Sequence, residues 1–457
     1  MRTLSRTRQR ESLPFVLYAL VSLTAIVWLL FIATRLRPLM DDYIHQGRVI
    51  ELGILGSTAD WFATLLSGFL GVLTISAFSA TAAQLPLWLS YVPYVFFLIA
   101  TFLVLGLVLL KPLLPSRQPL RTTALALTLP PLWFLSVANV FPQYDAINAL
   151  GMLNWISNGY RVHLPIIFLI AYLIFSAWRP PGVTAPVMAL ATGLILGFSF
   201  LNLLPDLAAY ALISFLGALG LWLQRRTRPD GDQQTHQPAT SLLALGSGLV
   251  LAGIGLAMSP GTSARAERHP LQFSLEAAPN TFLTQVWNFL REMMNVSNIL
   301  VLIAATAVGL LAAQGLSRAA KRHALQRLIF YLVSLALLLL LLIGSGALGE
   351  TLTYGAIFHR WSVLQIEFAV FVVMGLMVGY RASDTMKAPV HNLLVAAGLV
   401  ALLSTFVPLA NVTRLADDRL AVWETGAPAP LSYLQDREQQ TLNEWWAIVE
   451  DYRQTPR

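Results

Sequence analysis

Apolar residues in this chain come in long blocks separated by short polar connectors. A block of about 20 residues is the length of helix that covers the hydrocarbon core of a bilayer. Lipid offers no partners to backbone N–H and C=O groups, so such blocks must be helical. They fall at 13–34, 85–110, 122–141, 162–178, 183–201, 205–223, 240–258, 295–314, 327–346, 361–380 and 390–409. The pattern therefore predicts an all-α, polytopic membrane protein with about eleven transmembrane helices. One further stretch, 52–80, runs through Trp61, Phe62, Leu65 and Leu66 to Leu73 and is also apolar. Counting it as a crossing would invert every later segment. It is expected instead to lie at the outer interface, or to dip in and return, with Trp61 as an interfacial anchor.

Charge supplies the sidedness. The first ten residues, MRTLSRTRQR, carry four arginines and no signal-peptidase pattern, which predicts a retained cytoplasmic start. With that end inside, the short basic connectors fall on the same side. They hold Lys111, Arg117 and Arg121; Arg179; Arg225, Arg226 and Arg228; Arg318, Lys321, Arg322 and Arg327; and Arg381 with Lys387. Inside then has 17 of the 30 basic residues, all three lysines among them, against four acids. This is the asymmetry of the positive-inside rule. It predicts an N-in, C-out arrangement with long outer loops at 35–84, 142–161, 259–294 and 347–360 and with interfacial helices in those loops. Residues 1–409 form the membrane domain and 410–457 an outer tail. The inner stretch Gln224–Pro238 reads as a flexible linker.

Composition agrees and narrows the chemistry. With 56% hydrophobic and 12% charged residues, a soluble domain of ordinary composition is excluded. The absence of cysteine excludes disulfides, thiol catalysis and Cys-ligated zinc. The net charge of +7 resides in membrane connectors, so no nucleic-acid partner is expected.

Candidate chemistry collects in the outer loops. Met40-Asp41-Asp42-Tyr43-Ile44 places two carboxylates just after the first span, behind Arg35 and Arg37. A paired acid there can serve as a general base or hold a cation; a solvated helix cap looks the same. If the segment is helical, Arg48 and Glu51 can pair at i,i+3, which leaves the aspartates at the helix N-terminus. The second loop offers Trp155, Asn158, Tyr160, Arg161 and His163, which could supply stacking faces, an amide and a cation for a sugar. Asp206, after Pro205, is either a cap or an intramembrane functional acid. In the third loop, Ser259-Pro260-Gly261 predicts a turn presenting Ser259 and Arg265 at lipid-phosphate level. Phe282, Val286, Phe289 and Leu290 suggest an amphipathic interfacial helix beyond it. Glu367 lies seven residues after Arg360, on the same helical face, and wants a partner such as that arginine. The sequons at Asn295 and Asn411 are too common to imply glycosylation.

The outer-surface Asp41-Asp42-Tyr43 after a first span, followed by many spans and large outer loops, resembles the GT-C superfamily of integral-membrane glycosyltransferases. In particular it is similar to a bacterial multi-pass branch of that group. Trp155 through Tyr160 to Pro165, Ser259-Pro260-Gly261 with Arg265, and His359-Arg360 before a late span fit the same branch. The resemblance implies a bacterial inner-membrane enzyme working on its extracytoplasmic face. Its donor would be a polyprenyl-phosphate sugar, and its acceptor a hydroxyl on a lipid, glycan or protein. Asp41 or Asp42 would be the base, Tyr43 would help bind substrate, and Arg265, Arg360 and Ser259 would meet the phosphate. A divalent metal ion on Asp41 and Asp42 is left open. Relatives often carry a basic residue after the Asp pair, which 60–80 lacks, and an acid where this chain has Asn202 and then Asp206. The other classes are a multi-pass transporter or lipid flippase, which needs polar residues along a mid-membrane path, and a non-catalytic scaffold.

Overall fold

The protein is described as a computed structural model covering residues 2–36, 41–64, 68–86, 88–114, 119–138, 156–177, 183–200, 204–226, 236–268, 295–352 and 357–424, with a few single residues between them. Side chains are described over most of these ranges, but not for 2–12, 156–162 or 346–361. Among the described residues the chain is all-helical, without strands.

The helices are α1 (Arg2–Ala33), α2 (Asp41–Thr64), α3 (Phe69–Gln84), α4 (Val92–Leu110), α5 (Pro119–Ala126) and α6 (Leu129–Ala138). They continue with α7 (Ile156–Ala177), α8 (Thr184–Ser199), α9 (Leu204–Arg226), α10 (His236–Ala257) and α11 (Pro260–Arg268). The last are α12 (Val296–Ala313), α13 (Arg318–Leu352), α14 (Ile357–Ala382), α15 (Ala388–Leu403) and α16 (Phe406–Glu424). Among the described residues, nine helical stretches are long and apolar enough to cross a membrane. Three apolar helices are shorter, Phe69–Gln84, His163–Ala177 and Thr184–Ser199. Each of the eleven expected segments falls on one or two of these helices, so a polytopic membrane protein is the architecture.

Local chemistry moves some boundaries. The segment expected from 85 becomes helical only at Val92, after turns at 88–91, with Pro93 in the first turn. The segment 122–141 breaks at Leu127–Thr128, where the Thr128 hydroxyl donates to Leu125 O at 2.6 Å. Pro130 and Pro131 then occupy the first turn of α6, where their missing N–H groups cost nothing. The tail expected from Ala410 begins as helix, because α16 runs on to Glu424 and folds against α1. Trp28 Nε1 donates to Thr413 Oγ1 at 2.9 Å, and Arg35 pairs with Asp417. Residues 425–457 and the amphipathic stretch expected near 279–292 lie outside the described residues or barely within them.

Small residues let the central helices approach closely. Gly375 and Gly379 of α14 face Ala305 and Gly309 of α12 so tightly that a Cβ on Gly379 would meet the Thr306 carbonyl. Gly193 and Gly197 of α8 do the same against Gly248 and Ala252 of α10. These four-residue spacings are the small-xxx-small pattern by which membrane helices pack backbone to backbone.

Residues 41–91 form a closed excursion. α2 and α3 pack against each other, and Ser57 and Ser76 meet across them at 3.5 Å. The Tyr91 hydroxyl then donates to Asp42 Oδ2 at 2.7 Å, which brings the chain back to where the excursion began. The hairpin rests on α7 and α8. Trp61, the expected interfacial anchor, packs inside this hairpin. It is buried, with the His45 ring at 4.6 Å and the Arg48 guanidinium at 4.4 Å.

The two ends of the bundle differ. One gathers Lys111, Arg318, Lys321, Arg322, Arg327, Arg381 and Lys387. There Lys321 pairs with Asp384 at 2.7 Å and Tyr380 Oη donates to Leu113 O at 2.9 Å. The other end holds the starts of α2, α9, α12 and α14, with their buried acids.

Candidate functional site

Asp42 stands in the first turn of α2 and is wholly buried. A lone buried carboxylate is costly, so its surroundings must supply compensation. Tyr91 gives a hydroxyl, and the first-turn amides of α2 add the positive end of a helix dipole. Tyr94, one turn into α4, is close enough to interact electrostatically with the same carboxylate. Its ring lies 5.7 Å from that of His163. His163 is itself buried, 4.5 Å from the Phe97 ring, with Nδ1 at 3.3 Å from the Thr101 hydroxyl. A continuous polar and aromatic column thus joins α2, α4 and α7.

The helix carrying the aspartates is bent. Gly53, at φ 71° and ψ 173°, is in a region open essentially to glycine alone. The bend folds the second half of α2 back on the first, so that Arg48 pairs with Asp60. This corrects the expected Arg48–Glu51 pair: Glu51 is exposed, and the kink brings Asp60 to the arginine instead.

A second polar cluster lines the first turns of α14. Ser362 donates to Asp206 Oδ2 at 2.7 Å, so the acid in the first turn of α9 is buried and partnered. Gln365 Oε1 accepts from Trp133 Nε1 at 2.6 Å. Glu367 accepts from the Asn298 amide, and Asn298 in turn accepts from Ser136 at 2.7 Å. One partner of Glu367 is therefore an amide from α12, the helix packed closely on α14; the side chain of Arg360, the expected partner, lies outside the described residues. The cluster ties α14 to α6, α9 and α12 and sits at the same end as Asp42.

Family models, curated proteins and solved structures offer no match to this chain. Geometry alone must therefore carry the site.

Of the residues singled out in the sequence, Asp41 and Tyr43 are placed on α2, about 100° either side of Asp42. Asn158, Tyr160 and Arg161 occupy the opening turns of α7, Arg265 is on α11, and Arg360 is in the first turn of α14. The side chains of these residues, and Trp155 altogether, lie outside the described residues. Their helices do converge: α2 packs against α7 and α11, and α7 packs against α14. Ser259 has a defined use. The expected Pro-Gly turn is the first turn of α11, and Ser259 caps it, accepting from Thr262 N at 3.3 Å. It is buried there beside the Thr262 hydroxyl at 3.0 Å. Among the described residues no group of three or more His, Asp or Glu is arranged to hold a metal ion. Asn295 caps α12 through Asn298 N at 2.8 Å, and Asn411 lies within α16, so both sequons serve helical structure.

Tyr91, Tyr94, Gln365 and Asn298 were not singled out in the sequence. Each sits in an apolar segment with one polar group, a phenol or a carboxamide, which reads as an ordinary span residue until its partner is known.

Proposed function

We propose that this chain is an integral-membrane glycosyltransferase. It moves a sugar from a polyprenyl-phosphate donor to an acceptor hydroxyl at the end of the bundle that carries Asp41 and Asp42. The observation that supports this best is the buried Asp42, held by Tyr91 on a helix packed against the helices of Arg161 and Arg265. An acid fixed so firmly at a helix start sets the position of its neighbour Asp41. In this reading Asp42 positions and Asp41 is the base. The acceptor oxygen attacks the anomeric carbon, the carbon–oxygen bond to phosphate breaks, and the phosphate leaves with the electron pair. Asp41 takes the acceptor proton. Arg265 and Arg360 offset the negative charge that grows on the leaving phosphate, the kind of stabilisation with the largest effect on such reactions. Basic connectors at the opposite end orient the active end extracytoplasmically, in a bacterial inner membrane.

The polar cluster on α14 favours a second reading, a transporter or lipid flippase. Against it, Asp206 and Glu367 each have a donor in place, and Asp206 sits in the first turn of α9, so neither lines a polar path through the bundle as a free charge.

Transfer of labelled sugar from polyprenyl-phosphate donors, in membranes holding wild type, Asp41→Asn and Asp42→Asn, separates these readings. Loss of the base by Asp41→Asn should lower transfer by at least about 100-fold, with unchanged protein level. Equal transfer in all three sinks the role of the pair. Substrate flux across vesicles, without transfer, would establish the transporter.

A further inference from the structure

The basic end contains a cleft of about 490 Å³ that the proposed reaction does not use. Its apolar lining includes Leu113, Leu114, Leu316 and Ala324, and its polar lining is His323 and the guanidinium of Arg327. His323 and Arg327 are one helical turn apart on α13 and so share a face. Lys321 is paired with Asp384, whereas among the described residues no carboxylate pairs with Arg327.

Depth identifies the ligand. The uncharged run of α13 from Leu328 to Gly349 has 22 residues, about 33 Å of helix against a hydrocarbon core of about 30 Å. The charged first turns must therefore project, which sets Arg327 at the level of lipid phosphates. An arginine there can bind two phosphate oxygens at once while apolar walls receive acyl chains.

We propose that this cleft seats the headgroup of an anionic glycerophospholipid from the leaflet at the basic end, with Arg327 as its phosphate ligand. The site is separate from the glycosyl-transfer reading and stands or falls without it.

Native mass spectrometry of the full chain, purified in neutral detergent and titrated with phosphatidylglycerol or phosphatidylcholine, tests it. Wild type should retain phosphatidylglycerol over phosphatidylcholine. Arg327→Gln should lower that occupancy about fivefold, the effect of one basic residue near an anionic surface. Arg327→Lys should retain most of it, and the exposed Arg322→Gln should match wild type. Ala320→Trp, on the exposed rim, should block the cleft without touching the arginine, so the test survives poor folding of Arg327→Gln. Equal retention of the two lipids, or equal losses in Arg327→Gln and Arg322→Gln, overturns the proposal. So does inorganic phosphate binding through Arg327 with no lipid retained, which would make this a seat for a soluble anion.

Discussion

Changing Tyr91 to Phe removes one hydroxyl and takes from Asp42 the donor that holds it at 2.7 Å. A hydrogen bond to a buried charge contributes about 1.5–3 kcal/mol. The variant should therefore melt measurably lower in detergent and lose transfer activity with Asp41 still present. Full activity at an unchanged melting temperature would show that Asp42 does not depend on Tyr91. Asn298→Ala should act similarly by stripping the amide from Glu367, with a loss of about 1–3 kcal/mol in thermal unfolding; no loss would mean that the acid is held elsewhere. At this scale the sequence was half legible. Asp41 and Asp42 stood out because adjacent charges at a span boundary are rare. Tyr91 did not, since its partner lies 49 residues away and a tyrosine near a span usually belongs to the aromatic belt. Arg48 had Glu51 at helical spacing, and only the bend at Gly53 reveals Asp60 as its partner.

That bend governs the element as a whole. Gly53 has nothing within 4 Å of where a Cβ would go, so Gly53→Ala tests backbone conformation alone. The strain is about 1–3 kcal/mol. Straightening α2 would also part Arg48 from Asp60 and His45 from Trp61. The expected result is faster proteolysis within 41–64 with the rest of the bundle intact; an unchanged digestion pattern would count against a strained bend. Gly379→Leu is expected to be harsher. Its side chain would collide with the α12 backbone, so the variant should fail to accumulate as folded protein. Normal yield and melting would refute that close approach. Blocks of apolar residues made the spans readable, since length and hydropathy suffice. The Gly375/Gly379 and Gly193/Gly197 contacts are not legible in the sequence, because which helix each one meets is a tertiary fact. The Leu127–Thr128 break is hidden there because hydropathy does not change across it.

For the whole molecule, sidedness turns on whether residues 41–91 return to the side they leave. Tyr91 on Asp42 and Ser57 opposite Ser76 make that stretch a hairpin. An odd number of crossings within it would invert every later segment and put the connectors of Lys111, Arg318 and Lys387 on the outer side, against the charge bias. The absence of cysteine makes the native chain its own background for labelling. Glu51→Cys and Asp418→Cys are exposed substitutions at the acidic end, and Thr385→Cys is exposed at the basic end beside Lys387. A membrane-impermeant maleimide added to intact cells should label the first two and reach Thr385→Cys only after lysis. Labelling of Thr385→Cys alone in intact cells would invert the protein and remove the proposed active end from the face where lipid-linked sugars would be used. Labelling of Glu51→Cys and Thr385→Cys together, with Asp418→Cys protected, would instead break the hairpin, because the two ends of the bundle could not then lie on opposite sides. The positive-inside bias and the closed hairpin are independent of each other, one set by charge and the other by a hydrogen bond. Their agreement on one orientation is what gives this experiment a single expected answer.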